Sequence, residues 1–149
     1  MGRLDRRLWL KFHVNGKQSI SHTGFGRVGI GTASPLSTLH VNGPIATRVD
    51  FVGSNTMLSA INSVVLAYPP HPVTRITVTL PTEAAEGREI TIKNVGEATT
   101  DTVTVASLIG YPIKRRRLSG FFELHLVGYY SMVRLINDGS GAWFVLDEQ

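Results

Sequence analysis

RITVTLPTEAAEGREITIKNV, residues 75–95, indicates the fold class of the chain most directly. Its first six residues place apolar Ile76, Val78 and Leu80 alternately with charged or polar side chains, and EITIKNV repeats the pattern after a turn-forming segment. Because successive side chains of a strand point to opposite faces, this alternation predicts two strands that each bury one face. TVTVA, FFELHLV and AWFVL show the same alternation, with Phe122 expected to share a face with Leu124, so we predict an all-β protein.

One segment leaves its secondary structure open. In SNTMLSAINSVVLAY, the apolar residues Met57, Leu58 and Ile61 have the i, i+3, i+4 spacing of a helix. The β-branched residues that follow favour a strand. We predict a strand for SVVLAY and assign nothing to the residues before it.

Length, charge and cysteine content restrict the possibilities further. The chain has 149 residues, which suits one ordinary domain with a terminal arm, and it has no cysteine for disulfides or thiolate metal sites. The formal net charge of +4 is concentrated in MGRLDRRLWLK and in KRRR at Lys114–Arg117. Such clusters are more often solvated than bound to nucleic acid, so we expect no nucleic-acid partner. No run of about 20 apolar residues is present, and we expect no membrane partner.

A five-residue phrase occurs twice near the start of the chain, as FHVNG at residues 12–16 and as LHVNG at residues 39–43. Each copy predicts the end of a strand followed by an Asn-Gly turn. The apolar residues around them are too few for an independent core, so burial between chains is expected, with the same chain-to-chain geometry at both copies. If these side chains point inward, three copies around a common axis could bury one another, and the predicted trimer-core residues are then Val28, Ile30, Leu39 and Val41.

The repeated FHVNG/LHVNG segment separates a terminal arm from the body of the chain. We predict an attachment arm at residues 1–11, a short intertwined repeat segment at residues 12–47 and a C-terminal β-domain at residues 48–149.

GRVGIGTASPLSTLHVNG, residues 26–43, resembles the VGIGT-x-x-P...LHVNG segment that recurs in bacteriophage tail fibres, tailspikes and related phage surface proteins. A second resemblance covers the body of the chain. The elements LP-x(5)-G-x-x-I-x-IKN at residues 80–94 and DG-x-x-x-W at residues 138–143 are similar to those of the small β-domain that ends many such fibres.

The resemblance implies an intertwined homotrimer with a C-terminal β-sandwich or β-prism-like knob, located on the capsid or tail surface of a virion. The chain is short for a long fibre shaft, which favours a short fibre, a head fibre or a capsid-decorating protein. In many relatives the VGIGT segment introduces a self-cleaving chaperone. Here the residues after Pro44 resemble the small β-domain instead, so we expect no autoproteolysis.

The N-terminal arm mixes large apolar and basic side chains. This composition is typical of a docking peptide, and we predict that the arm anchors the protein to a capsid or tail protein of the same virion. The alternative is a terminal strand that packs on its own trimer. The predicted anchoring residues are Leu4, Arg6, Arg7, Leu8, Trp9 and Leu10.

A second candidate site combines cations with aromatic rings. The basic run precedes two adjacent tyrosines in sequence, and such groups together can bind phosphorylated or acidic glycans. This favours an alternative function, that of a tail receptor-binding protein that recognises host surface glycans. The competing interpretation is a solvated loop whose arginines contact acidic residues of a neighbouring subunit or capsid protein. The residues concerned are Arg115, Arg116, Arg117, Tyr129 and Tyr130.

We predict no enzyme activity, no metal and no cofactor. The acidic residues are scattered, and Asp138 lies in NDGSG, which favours a turn over catalysis. His13 and His40 occupy equivalent places in the repeat, but strand alternation directs His40 away from the apolar face. Trp143 lies in an alternating strand, which favours a core or interface role over a sugar platform.

Overall fold

The computed structural model describes residues 10–14, 17–22, 26–115 and 122–149, and for residues 10–14, 17–19 and 22 it describes the backbone alone. The described residues form fourteen β-strands and no helix, which confirms the all-β class. In this part of the chain, accordingly, no helix is long and apolar enough to span a membrane. The chain divides into two compact units, Met1–Ala46 and Thr47–Gln149.

The first unit contains one four-stranded sheet. Its strands are, in spatial order, β1 (Leu10–Val14), β2 (Lys17–His22), β3 (Val28–Ile30) and β4 (Leu39–Val41). The first three are antiparallel neighbours, whereas β3 and β4 are parallel.

The two HVNG copies differ in their strand pairing. In the first copy, β1 pairs antiparallel with β2, and the two residues that separate them, Asn15 and Gly16, lie outside the described residues. In the second copy, β4 pairs parallel with β3, and no strand follows until Val49. A strand precedes Asn-Gly in both copies, as predicted. Pairing within the chain differs between the copies, and the expected shared geometry between chains stays a prediction. Pro44 follows the second copy, and without an N–H group it cannot continue a ladder.

The second unit contains a six-stranded and a four-stranded sheet. The six-stranded sheet consists, in spatial order, of β11 (Ile113–Lys114), β14 (Trp143–Glu148), β13 (Met132–Asn137), β9 (Glu89–Asn94), β7 (Val64–Ala67) and β5 (Val49–Val52). The four-stranded sheet consists of β12 (Glu123–Val127), β10 (Thr102–Ala106), β8 (Arg75–Thr79) and β6 (Thr56–Met57).

From β5 to β10 the chain alternates between these two sheets. Strands β5, β7 and β9 are parallel neighbours in one sheet, and β6, β8 and β10 are parallel neighbours in the other. The path is therefore a short winding of three coils, each with one strand per sheet. Antiparallel pairing of β12 with β10 and of β13 with β9 then extends the two sheets.

One apolar core includes side chains from both sheets of the second unit. The predicted inward residues Ile76, Val78 and Leu80 are all buried, which confirms the alternation in β8. Phe122 is exposed because it precedes β12, so its expected place beside Leu124 is wrong. Other predicted core side chains that are buried are Ile90, Ile92, Val103, Val105, Leu124 and Leu126.

The segment left open contains no helix. Thr56 and Met57 form β6, turns follow, and β7 begins at Val64, which confirms the predicted strand in SVVLAY. Leu58 is buried while Met57 and Ile61 are exposed, so the helical spacing has no shared buried face.

The predicted roles of Trp143 and Asp138 are confirmed. Trp143 is fully buried, and its indole N–H donates to the carbonyl oxygen of Pro81 at 3.3 Å. The carboxylate of Asp138 accepts hydrogen bonds from the backbone N–H and hydroxyl of Ser140 and from the N–H of Ala142, which is a turn-stabilising pattern.

Candidate functional site

The sheet of the first unit exposes apolar side chains on one face. Ile20, Ile30 and Val41 are neighbours across β2, β3 and β4, and Val28 pairs with Leu39. Because residues i and i+2 of a strand share a face, all five lie on the same side. Ile30 is 41% and Leu39 is 57% exposed. We call this surface the β2–β4 apolar face. It consists of Ile20 and the four residues predicted for the trimer core, Val28, Ile30, Leu39 and Val41.

The loop between β3 and β4 covers the opposite, polar face of the sheet. Ser21 is fully buried, and its hydroxyl donates to the carbonyl oxygen of Thr32 at 2.9 Å. The N–H of Leu36 donates to Nδ1 of His40 at 3.3 Å. His40 therefore lies on the face opposite the apolar one, as the alternation predicts.

The glycine-rich phrase VGIGT makes this cover possible. A Cβ on Gly29 would lie 2.6 Å from both the Ser21 hydroxyl and the Thr32 carbonyl oxygen, so only glycine fits between strand and loop. Gly31 has a φ of +69°, which turns the chain back over the sheet and which other residues rarely adopt. The loop thus covers the polar face and leaves the apolar face exposed, the reverse of the usual arrangement in a one-layer sheet.

A second surface lies at one end of the second unit. Parallel strands end at the same edge of a sheet, and here the carboxyl ends of β5, β7 and β9 meet there. The segment before β13, which is antiparallel to β9, reaches the same edge. Two adjoining depressions of about 440 Å³ and 720 Å³ share Val95, Gly96 and Glu97. We call their aromatic and polar lining the tyrosine surface, with the residues Phe51, Tyr68, His71, Glu97, Tyr129 and Tyr130.

Buried Asn94 fixes the loops that carry the tyrosine surface. Its side-chain amide donates to the carbonyl oxygens of Asp101 at 2.9 Å and Leu126 at 3.1 Å, and its Oδ1 accepts from the N–H of Gly96 at 2.9 Å. Its backbone carbonyl accepts from the N–H of Tyr130 at 3.0 Å. One buried side chain therefore connects the segments on both sides of the depressions.

Tyr129 and Tyr130 present two perpendicular rings. Their centroids are 5.0 Å apart and their planes are inclined by 85°. Tyr130 has a φ of +71°, and Lys93 Nζ lies 5.3 Å from its ring centroid. A left-handed backbone is costly for a bulky residue, and such strain persists only where the surrounding structure holds it.

The structure separates Arg115 from these tyrosines. Arg115 Nη2 lies 2.6 Å from Glu148 Oε2, so this arginine pairs with an acid of its own chain. It lines a different depression, beside His125 and Val127. Arg116 and Arg117 lie outside the described residues, so the clustering of the basic run with the tyrosines stays a prediction for them.

The proposed anchor falls largely outside the described residues as well. This holds for Leu4, Arg6, Arg7, Leu8 and Trp9, whereas Leu10 is the first residue of β1.

Two carboxylates, those of Asp50 and Asp138, have a lowered pKa. The hydrogen bond from Arg48 at 2.7 Å, with a second from Asn62, lowers the pKa of Asp50. The hydrogen bonds from Ser140 lower the pKa of Asp138. Both groups are thereby favoured as carboxylates, which suits structural acceptors. Within the described ranges, no three His, Asp or Glu side chains form a group suited to a metal ion.

Sequence reasoning found Tyr129 and Tyr130 but missed Phe51, Tyr68 and Glu97. These three are far apart in sequence and meet only through the parallel winding. The sequence matches no protein-family model, and no curated protein is significantly similar to it.

Proposed function

We propose that the protein is a non-enzymatic structural component of a bacteriophage virion. In this proposal it is a homotrimeric short fibre, knob or capsid-decorating protein on the virion surface, anchored by its N-terminal arm to a capsid or tail protein. The first unit supplies the intertwined section, and the second unit forms the knob.

The observation that supports the proposal best is the exposed β2–β4 apolar face. A contiguous apolar surface costs free energy in water and commonly marks a protein contact. Here the loop that could have covered it lies on the polar face instead. The resemblance of the same segment to phage fibres supports a second and third copy as the cover, and it supports the virion as the location.

Sedimentation equilibrium or light scattering tests the trimer directly. The expected mass is three times the 16.3 kDa of the chain. Ile30→Asp introduces a charge into the proposed interface and should shift the protein towards monomer. Ala33→Asp, on an exposed loop residue of the same unit, is the matched control and should leave the trimer intact. A monomeric wild-type protein, or equal behaviour of the two variants, would overturn the proposed interface.

Cryo-electron microscopy of the particle that encodes this chain tests the virion assignment. Trimeric density arrayed over the icosahedral shell would support a decoration or head-fibre protein. A few copies confined to the tail would support a tail fibre. Purified particles that lack the protein would refute the virion role altogether. In particles that contain it, deletion of residues 1–11 should abolish incorporation if the arm is the anchor.

The tyrosine surface favours a second candidate function, that of a receptor-binding protein for host glycans. Tyr129 and Tyr130 are substantially exposed although they belong to loops fixed by buried hydrogen bonds. Tyrosine side chains suit recognition because they have only two χ angles and lose little conformational entropy on binding, and here the backbone that carries them is already fixed. Binding of the wild-type trimer to an array of host-type oligosaccharides would support this candidate, and an array without signal would refute it.

A further inference from the structure

We infer that the tyrosine surface is a carbohydrate-binding site and that its ligands are neutral sugars rather than phosphorylated or acidic ones. This inference rests on the second candidate function and identifies the site and ligand class for it. It moves the site away from the basic run, to residues that come together only in the folded second unit.

The tyrosine surface is rich in exposed aromatic rings. Phe51 is 71%, Tyr68 41% and Tyr130 67% exposed. Each ring offers an apolar face, and each tyrosine adds a hydroxyl that can donate or accept a hydrogen bond. A pyranose ring has the complementary pattern, with C–H groups on its faces and hydroxyls at its rim.

Close packing and backbone hydrogen bonding hold two of these rings in place. Gly53 permits close contact with Tyr68, since a Cβ at this position would lie 2.8 Å from the Tyr68 Cζ atom. Tyr130 is held in a strained conformation by its N–H bond to the carbonyl oxygen of Asn94. A residue that served only to close a turn would be more stable as glycine or asparagine at this φ. A tyrosine at this position therefore points to a use for its ring.

Charge decides the ligand class. Among the residues that line the two depressions, the formally charged side chain at neutral pH is Glu97, which is an acceptor for sugar hydroxyls and repels anions. Lys93 lies beside the surface, at the ring of Tyr130, and offsets this charge. Arg115 lies in another depression and pairs with Glu148. An anionic sugar would thus find no excess of positive charge here, whereas an uncharged sugar meets both ring faces and acceptors.

The size of the surface agrees with this class. Ligand pockets are commonly about 300–1,000 Å³, and the two depressions fall within this range at about 440 Å³ and 720 Å³. Because they share a rim at Val95, Gly96 and Glu97, they can hold consecutive units of one oligosaccharide. A proline-rich peptide also favours aromatic grooves, but it would use a continuous ridge of rings, and the acidic rim at Glu97 interrupts this one.

Saturation-transfer NMR with the wild-type protein tests the inference. The neutral probes are glucose, galactose and N-acetylglucosamine, and the charged probes are glucose 6-phosphate and N-acetylneuraminic acid. We expect transfer to at least one neutral probe, and an affinity about tenfold lower in Tyr130→Gly, as expected for the loss of one aromatic contact. Tyr68→Ala should act in the same direction from the other depression. Phe122→Ala removes an exposed ring outside the surface and should leave binding unchanged.

The outcomes separate the inference from the functions on which it rests. The inference would be overturned, and glycan recognition retained, if the protein prefers the charged probes, if Arg115→Ala no longer binds them and if Tyr130→Gly binds them as the wild type does. Absence of transfer to any sugar would overturn both, yet an intact trimer in the same sample would leave the structural role untouched. Selective binding of a proline-rich peptide that shifts the NMR signals of Tyr68 and Tyr130 would also overturn the inference.

Discussion

Exchange of Tyr130 for alanine and for glycine measures the backbone strain in the tyrosine surface. Tyr130 has the one positive φ among the non-glycine residues that the structure describes, +71°. Both substitutions remove the ring and its contact with Lys93, so their difference in stability reports the backbone alone. The neighbouring Ser131 is the matched control, because its φ is not positive and both of its variants lose the same hydrogen bond to the carbonyl oxygen of Gly128.

The expected difference follows from two opposing effects. A left-handed conformation costs an alanine about 1–2 kcal/mol. Glycine escapes this cost but loses roughly 0.5–1 kcal/mol through the larger entropy of its unfolded chain. At the midpoints of these ranges, Tyr130→Gly should therefore be more stable than Tyr130→Ala by about 0.75 kcal/mol. At Ser131 the entropy effect acts alone, so Ser131→Gly should be less stable than Ser131→Ala by about the same amount.

Thermal and urea unfolding of the four variants at one protein concentration provide the assay. A fixed concentration is needed because association of chains shifts apparent stability. The two pairs should differ in sign, with a combined separation of roughly 3–6 °C in Tm for a protein of this size. If Tyr130→Gly is less stable than Tyr130→Ala by as much as the Ser131 pair, the left-handed conformation and the strain argument are both wrong.

Three further predictions concern the described residues. Asn94→Ala should lower the free energy of unfolding in urea by about 3 kcal/mol or more, because three buried backbone groups lose their hydrogen-bond partner. A loss below about 1 kcal/mol would contradict these hydrogen bonds of the Asn94 side chain. Gly53→Ala should displace the ring of Tyr68 and change its NMR shifts, and unchanged ring signals would show that the contact is not close. Asp50 and Asp138 should titrate in NMR with midpoints below the usual aspartate pKa of 3.8. Their contribution to stability is therefore complete above pH 3.8 and is lost as the pH falls through the folded-state pKa. Midpoints at or above 3.8 would refute this.

The strands were predictable because burial on one face leaves a period of two in the sequence. Ile76, Val78 and Leu80 follow that period, and the structure buries all three. In β10 the signal is weaker in the structure than in the sequence, because Thr102 and Thr104 are buried as well as the valines between them. Side chains of the two neighbouring strands can cover small polar side chains of a central strand such as β10. Alternation in the sequence of one strand does not predict this burial.

The order and direction of the strands were not predictable by the same reasoning. Turn signals such as those around Gly87 and Gly139 fit hairpins as well as crossovers between sheets. The chain in fact alternates between sheets from β5 to β10 and pairs strands in parallel, which depends on contacts between residues distant in sequence. A period of two contains no information about the neighbour across the ladder.

This limit also explains the incomplete prediction of the tyrosine surface. Tyr129 and Tyr130 are adjacent in sequence and were visible as a pair. Phe51 and Tyr68 join them because parallel β5, β7 and β9 end at one edge of their sheet. The sequence signal that could have drawn attention to Tyr68 is its place directly before two prolines at the end of a predicted strand, where a side chain is commonly exposed on a loop.

The contrast between the two units bears on how the proposed trimer would be stabilised. The second unit has an apolar core of its own, whereas the first has strands as short as three residues and leaves Ile30 and Leu39 about half exposed. Burial of the exposed half of each of these side chains would contribute about 1 kcal/mol, or about 6 kcal/mol for the six in three chains. Per chain this is about 2 kcal/mol, a substantial fraction of the roughly 5–15 kcal/mol that stabilises a small domain. In the proposed trimer, therefore, the first unit depends on its neighbours for stability while the second depends on its own core, and dilution should unfold the first unit before the second.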